Sequence, residues 1–159
     1  MTTRRPTKIE MMLEIAKVVS QRSTCARAQV GCVLTNLEPD SRSPGGFSPT
    51  RSHTRILAMG YNGMEAGGKN ECDTEQPGQC GCIHAEVNAL IKAAPGPKAC
   101  FVTMSPCLMC SRLMINSDIR ELWFGEIYRD TTGLQLLQTH GVKVHEVLGG
   151  GKLRGRTQW

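Results

Sequence analysis

Apolar positions along the chain change several times from helix-like to strand-like spacing. Over residues 9–19 they recur every three or four positions, which predicts an amphipathic helix. Short apolar runs predict strands at 29–34, 55–61, 100–104, 121–124 and 142–147. Helical patterns at 83–94, 107–116 and 131–139 separate the later strands. This alternation predicts an α/β fold, in which helices cover both faces of a mainly parallel or mixed sheet.

Two long irregular stretches interrupt this pattern. Residues 36–54 are rich in Pro, Ser, Gly and Arg, which predicts an inserted surface loop between the first two strands. His53 lies in this loop without a partner at ligand spacing, and we interpret it as a surface histidine. Residues 62–81 form a second, glycine-rich irregular stretch. Residues 149–159 are Gly-rich and basic, so we expect one domain over 1–148 followed by a flexible tail.

Composition narrows the class of protein. A length of 159 residues suits one compact domain. The formal net charge of +5 is compatible with an anionic ligand such as a nucleotide phosphate. No apolar run approaches the roughly 20 residues of a membrane helix, and residues 1–8 are polar and basic, unlike a secretory signal. We therefore expect a cytoplasmic protein with no membrane partner.

The sequence contains eight cysteines, which in a reducing compartment indicate metal binding or catalysis. Cys32 and Cys100 lie singly in strand-like runs and are predicted core residues. Cys107 and Cys110 follow a proline at the start of one predicted helix, and His84 lies at the start of another. One histidine and two cysteines supply three zinc ligands and leave the fourth position for water, as in catalytic zinc sites.

Glu86 lies two residues after His84 and is predicted not to be a ligand. Zinc makes water a nucleophile near neutral pH, and hydrolytic removal of a ring amine also needs a group that moves protons. Glu86 is the candidate for that catalytic role. His-x-Glu followed by Pro-Cys-x-x-Cys is the signature of zinc nucleobase deaminases. The alternative is a purely structural zinc site with Glu86 on the surface.

Five stretches of the sequence show a closer resemblance. They are Ser-Thr-Cys-Ala-Arg-Ala-Gln-Val-Gly at 23–31, Gly-Tyr-Asn-Gly at 60–63, His-Ala-Glu-Val-Asn-Ala at 84–89, Ser-Pro-Cys-Leu-Met-Cys at 105–110 and Tyr-Arg-Asp at 128–130. In these motifs the chain resembles the deoxycytidylate (dCMP) deaminase family of the zinc-dependent cytidine deaminase superfamily, over about residues 9–147. The resemblance implies a three-layer α/β/α cytidine-deaminase-like fold around a mixed five-stranded sheet. It also implies hydrolytic deamination of dCMP to dUMP.

The resemblance implies roles for individual residues as well. Asn62 would bind the sugar hydroxyl, and the backbone of Ala85 and Ser105 would bind the pyrimidine and its amine. Tyr128 would close over the nucleotide. Arg27 is the candidate phosphate ligand, because a planar guanidinium suits a dianion. The alternatives are a solvated loop charge for Arg27 and a core position for Tyr128.

A second, structural zinc site is a further implication. Cys72, Cys80 and Cys82 precede the catalytic motif, and Cys25 belongs to a segment that the family places nearby. Four cysteines could form a tetrahedral site that pins the 62–81 loop, and the alternative is a set of free thiols.

Family members are often hexamers activated by deoxycytidine triphosphate (dCTP) and inhibited by thymidine triphosphate (dTTP). We therefore expect a homo-oligomer, a hexamer by preference, with that regulation.

Three rival functions stay open on the sequence. The same zinc chemistry would serve dCTP, a 5-substituted dCMP, a free nucleoside or guanine. A deaminase of bases in tRNA or single-stranded DNA shares the zinc motif. The segments 23–31 and 128–130 and an aromatic content of 4% argue against it, since single-strand binders stack bases on aromatic side chains. A zinc-stabilised regulatory or scaffold protein is disfavoured by the open metal position and the nearby acid.

Overall fold

The computed structural model describes residues 4–43, 45–48, 51–74, 76, 79–149, 152–153 and 159. Its helices and strands follow in the order α1 (Lys8–Ser20), β1 (Gly31–Asn36), β2 (Ile56–Tyr61), α2 (Ala85–Leu90), β3 (Lys98–Met104), α3 (Leu108–Asn116), β4 (Ile119–Glu126), α4 (Thr132–Thr139), β5 (Lys143–Leu148) and β6 (Lys152–Leu153). All the predicted helices and strands are present. No helix within the described ranges is long and apolar enough to cross a membrane.

Helix α2 is shorter than the sequence predicts, because it ends at Leu90 rather than near Ala94. Hydrogen bonds of the i to i+3 type replace its expected last turn. Lys92 N–H donates to Ala89 C=O and Ala93 N–H donates to Leu90 C=O, each at 3.2 Å. Such tight turns are common at helix ends, and here they come just before the Pro-Gly-Pro breaker at 95–97.

The strands form one mixed sheet in the order β2-β1-β3-β4-β5-β6. β1 is antiparallel to both β2 and β3, whereas β3, β4 and β5 are parallel to one another. The predicted mixed five-stranded sheet is therefore confirmed. β6 adds a short sixth strand, which pairs antiparallel with β5.

Alternate residues of the central strands point into two separate cores, as the pleat of a strand requires. One core packs α2, α3 and α4 against the sheet and includes Cys32, Leu34, Ala89, Cys100, Val102, Met114, Phe124 and Leu137. The other packs α1 against the opposite face and includes Met12, Leu13, Ala16, Val33, Ala99 and Phe101. This arrangement confirms the three-layer α/β/α fold and the core positions of Cys32 and Cys100.

The contact of α1 with the sheet is close. α1 begins with a capping box, in which Glu10 N–H donates to Thr7 Oγ1 at 3.2 Å and Thr7 N–H donates to Glu10 Oε2 at 2.7 Å. Further along, a Cβ at Gly31 would overlap the carbonyl oxygen of Ala16. The glycine therefore lets β1 begin directly beneath the helix.

The inserted 36–54 segment is only partly a surface loop. Its Leu37, Ser48 and Ser52 are buried. The prediction of a surface position for His53 is wrong, because its side chain is only 12% exposed and its Nε2 lies 3.0 Å from Glu121 Oε2. The insertion therefore folds back over the face of the sheet that α1 covers.

Parts of the basic tail contact the domain. β6 pairs with β5, and the Trp159 ring lies 5.6 Å, between centroids, from the core residue Phe124. The backbone N–H of Trp159 donates to Gln138 Oε1 at 3.2 Å. Residues 150–151 and 154–158 lie outside the described residues, so a domain boundary at 148 with a flexible tail stays a prediction.

Candidate active site

The candidate site lies at one edge of the sheet. β2 and β3 are both antiparallel to β1, so they end at the edge where β1 begins. β4 is parallel to β3 and ends there too. The segments next to these strand ends therefore converge, although they are far apart in sequence. A cavity at this edge is lined by all five predicted substrate-binding residues and by His84, Glu86 and Cys107.

Two backbone hydrogen bonds join the two ends of the connection between β2 and α2. Gly63 N–H donates to Ile83 C=O at 3.1 Å, and Ile83 N–H donates back to Gly63 C=O at 2.8 Å. This pair brings Asn62 close to His84 and leaves the residues between them as a loop. β2 also packs tightly on α2, since a Cβ at Gly60 would overlap the carbonyl oxygen of Ala85.

The predicted zinc ligands come together at the start of two helices. His84 is the residue before α2, and Cys107 is the residue before α3. His84 Nδ1 lies 3.3 Å from Cys110 Sγ and 3.5 Å from Cys107 Sγ. A tetrahedral zinc ion bonds His N at about 2.0–2.1 Å and Cys S at about 2.3 Å, which needs donor separations of this size. The three side chains fit a zinc ion that keeps one position open.

The electrostatics of this group suit metal binding. Hydrogen bonds with Cys110 and His84 lower the pKa of Cys107 to about 4, although burial opposes the change. The contact with Cys107, together with burial, raises the pKa of Cys110. The positive N-terminal end of α3 also favours a thiolate here.

Glu86 is buried in the first turn of α2 and lines the cavity. It is only 4% exposed, so the alternative of a surface Glu86 does not hold. Burial raises the pKa of its carboxyl group above the ordinary value. A buried carboxyl group with a raised pKa is suited to accept a proton and to return it.

Asn62 has a structural contact that the sequence did not predict. Its Oδ1 accepts from Val30 N–H and its Nδ2 donates to Ala28 C=O, both at 2.8 Å. The side chain is 7% exposed and so holds the segment before β1 in place at the wall of the cavity. These partners lie 32 and 34 residues away, and no local pattern identifies them.

Three other predicted substrate residues also take defined positions. Ala85 and Ser105 are buried, and Ser105 Oγ accepts from Tyr128 N–H at 2.7 Å. Tyr128 is half-buried against the cavity rather than in the core, and the Arg129 guanidinium lies 5.4 Å from the centre of its ring. Arg27 is exposed at the cavity wall, where its Nη1 donates to Gln76 C=O at 2.7 Å.

Cys25, Cys72, Cys80 and Cys82 form a second group, called here the four-cysteine cluster. Their sulfur atoms lie within 4.8 Å of one another, and Cys72 Sγ is 3.8 Å from both Cys25 Sγ and Cys82 Sγ. All four are free thiols. Burial raises the pKa of Cys25, but N–H groups of the following residues and the neighbouring thiols bring it to about 7. Tetrahedral zinc with bonds of about 2.3 Å to sulfur needs such spacings, so the cluster fits a structural zinc ion.

Comparison with known proteins agrees with this geometry. The sequence model described as "Cytidine and deoxycytidylate deaminase zinc-binding region" matches residues 6–126. The chain is 28% identical over 157 residues to the deoxycytidylate deaminase of Saccharomyces cerevisiae, covering 89% of this chain and 45% of that protein. It is 31% identical over 137 residues to the deoxycytidylate deaminase of Pongo abelii, covering 77% of this chain and 67% of the relative. The chain spans about half the length of its yeast relatives.

A solved structure shows the same fold. The dCMP deaminase from the cyanophage S-TIM5, crystallised with dCMP and dUMP, superposes with a TM-score of 0.70 at 29% identity, covering 91% of this chain and 99% of the phage chain. The region matched by the family model contains both zinc motifs. In the structure these motifs bring His84, Cys107 and Cys110 together as one group of metal donors. This chain belongs to the zinc-binding cytidine and deoxycytidylate deaminase family.

Proposed function

We propose that this chain catalyses the hydrolytic deamination of dCMP to dUMP with release of ammonia. The main support is that one cavity is lined by the buried Glu86, by two members of the zinc donor group and by the cationic Arg27. The similarity to a phage dCMP deaminase that binds dCMP and dUMP supports the same substrate.

In the proposed reaction, His84, Cys107 and Cys110 would hold the zinc ion. When bound, zinc supplies a nucleophile from water at neutral pH. The water oxygen bonds to C4 of cytosine, the bond from C4 to the exocyclic nitrogen breaks, and ammonia leaves. Glu86 takes one proton from the water and passes it to the ring nitrogen. It then takes the remaining proton from the new C4 hydroxyl and delivers it to the departing amine, which leaves the C4 carbonyl of uracil. Its burial keeps bulk water from competing for these protons.

The other cavity residues would orient the nucleotide. Arg27 would bind the phosphate through its planar guanidinium. Asn62 would bind the sugar hydroxyl with the remaining hydrogen-bonding capacity of its amide. The backbone of Ala85 and Ser105 would bind the pyrimidine edge and its amine, and Tyr128 would close over the nucleotide.

We also propose that the four-cysteine cluster holds a second zinc ion with a structural role. The support is the separation of the sulfur atoms and the absence of disulfides among the eight cysteines. Metal analysis of the purified protein should give two zinc ions per chain. One zinc ion per chain, with Cys72 and Cys80 freely alkylated in the folded protein, would contradict this.

We propose a homo-oligomer, a hexamer by preference. The support is the family resemblance and two exposed apolar side chains: Ile91, directly after α2, is 72% exposed, and Met109 in α3 is 59% exposed. Light scattering of the purified protein tests the oligomeric state.

Regulation by dCTP and dTTP and a cytoplasmic location stay predictions. Turnover measured with and without each triphosphate tests the regulation.

A panel of substrates tests the proposed reaction. We would follow loss of the cytosine absorbance with dCMP, deoxycytidine, dCTP, CMP and a short single-stranded oligonucleotide. The expected result is a clear preference for dCMP that is abolished in Glu86→Ala. Preference for deoxycytidine or for the oligonucleotide would overturn the substrate assignment while keeping the deaminase chemistry. Equal activity of wild type and Glu86→Ala would overturn the mechanism.

A further inference from the structure

The four-cysteine cluster shapes the loop that faces the cavity. Cys80 and Cys82 flank Gly81, whose φ of +76° favours glycine. A Cβ at Gly81 would also overlap the carboxylate of Asp73. Asp73 N–H donates to Cys80 C=O at 3.0 Å, so the two sides of this loop are tied together beside the sulfur atoms. The described residues of the loop are therefore held together beside the cysteines.

Cys25 connects this cluster to the backbone of Arg27. The backbone N–H groups of Arg27 and Ala28 both donate to the Cys25 sulfur. Cys25 N–H in turn donates to Ser23 Oγ at 3.2 Å. A metal ion bound to the Cys25 sulfur would hold that sulfur in place. The two hydrogen bonds to the sulfur would then hold the backbone of Arg27.

Gln76 connects the same cluster to the side chain of Arg27. Gln76 lies between Cys72 and Cys80, and its carbonyl oxygen accepts from Arg27 Nη1 at 2.7 Å and from Gln79 N–H at 3.2 Å. A neutral carbonyl orients a guanidinium without cancelling its charge. Within the described part of the chain, no carboxylate forms an ion pair with Arg27. The other guanidinium donors remain available for a phosphate.

We propose that the metal-loaded four-cysteine cluster is a positioning element for Arg27, and that it thereby sets the preference for a nucleoside 5′-monophosphate over the free nucleoside. The inference rests on the proposed function. Both anchors of Arg27, one on its backbone and one on its guanidinium, belong to segments that the cluster holds. With the cluster closed, less side-chain and loop freedom is lost when the phosphate binds. Neither anchor includes Glu86 or a donor of its metal site, since they join Arg27 to Cys25 and to Gln76.

The experiment compares Cys72→Ser, Arg27→Ala and the double variant with wild type. Cys72 does not line the cavity, so the substitution removes a ligand without touching bound substrate. We would measure zinc per chain, KM and kcat for dCMP and for deoxycytidine, and dUMP binding by calorimetry. Gln76→Ala is the matched control, because it leaves the backbone carbonyl in place.

Cys72→Ser should keep one zinc ion, raise KM for dCMP and weaken dUMP binding by about tenfold or more, as expected for loss of a charge-assisted hydrogen bond. Its kcat, and its kcat/KM for deoxycytidine, should change little. The double variant should be no worse than Arg27→Ala, and Gln76→Ala should match wild type. Cys72→His, which keeps a zinc ligand, should restore much of the affinity.

Other results would overturn the positioning role. They are an unchanged KM and dUMP affinity after loss of the second zinc, independent and multiplicative effects of Cys72→Ser and Arg27→Ala, or a single zinc ion in wild type. If Cys72→Ser fails to fold, Cys72→Ala, which introduces no hydroxyl group, provides the same comparison at a residue outside the cavity. A wild type that turns over deoxycytidine but not dCMP would refute the proposed function instead, and the dUMP-binding comparison would still decide the positioning.

Discussion

His53 Nε2 lies 3.0 Å from Glu121 Oε2, although the two residues are 68 positions apart. His53 belongs to the 36–54 insertion and Glu121 to β4. The side chains are only 12% and 10% exposed, and the His53 ring also contacts Phe101 and Trp123 edge-on. This pair fastens the insertion to the face of the sheet opposite α2, α3 and α4.

Replacing His53 should therefore lower the stability of the protein. His53→Ala leaves the Glu121 carboxylate buried without its closest partner, which costs about 1–3 kcal/mol in the free energy of unfolding. Urea denaturation monitored by circular dichroism measures the change. Arg51→Ala, at an exposed position of the same insertion, is the control and should stay near wild type. Equal effects of the two substitutions would show that the pair contributes nothing specific.

The same pair should make stability depend on acid pH. Burial alone would raise the pKa of Glu121, but the hydrogen bond from His53 and the charges of His53 and Lys143 lower it below its ordinary value of 4.5. His145 also faces this carboxylate. A lowered folded-state pKa stabilises the protein above pH 4.5 and ceases to do so as the pH falls through the lower value.

Glu121→Gln provides the measurement. The difference in free energy of unfolding between wild type and this variant should be largest near pH 6 and shrink below about pH 4.5, the ordinary pKa of the group. Urea denaturation from pH 3 to pH 7 gives the profile. A difference that stays constant across this range would argue against a carboxylate stabilised by its charge.

Glu86→Gln should separate chemistry from folding. The amide has nearly the same shape, but it cannot carry a proton from water to the ring, so kcat for dCMP should fall by about 10²- to 10⁴-fold. Zinc content and melting temperature should stay close to wild type. Turnover assays and metal analysis on the same preparation test both points. A variant that loses zinc as well as activity would instead place Glu86 in the metal site.

Asn62→Ala should affect both stability and substrate affinity. It leaves Val30 N–H and Ala28 C=O without their partner and should cost about 2 kcal/mol in the free energy of unfolding. Because the loosened segment also carries Arg27, KM for dCMP should rise. Asn88→Ala is a matched control, since it loses one hydrogen bond, from Asn88 Nδ2 to Tyr61 C=O at 2.9 Å, at a residue that does not line the cavity. That control should lose stability without a change in KM.

Gly60→Ala should disturb the metal site through packing alone. A Cβ at this position would overlap the backbone of Ala85 and Ala89 in α2, and overpacking of this kind costs about 1–3 kcal/mol. Moving α2 away from β2 displaces His84, so zinc affinity should fall with stability. Competition with a chelator and thermal unfolding measure the two effects. Gly149→Ala has open space around its Cβ and should change neither.

Much of the zinc site was predictable because its residues lie close together in two short segments of the sequence. His84 and Glu86 are two positions apart, and Cys107 and Cys110 are three apart at a helix start, so local geometry already limits how they can lie. The order of strands and helices follows from spacing within each segment for the same reason. The end of α2 was less predictable, because the hydrogen bonds of its last turn are decided by small differences in backbone conformation.

The sequence by itself determined the α/β pattern, the core cysteines and the metal donor types, since each depends on neighbouring residues. Only the tertiary structure decided three contacts between distant segments. These are the contact of His53 with Glu121, the hydrogen bond from Val30 N–H to Asn62 and the hydrogen bond from Arg27 to the Gln76 carbonyl. Residue spacing shows which face a side chain shares with its neighbours in sequence. It does not show which distant segment the folded sheet brings opposite, and those contacts form only when the strands take their order and direction.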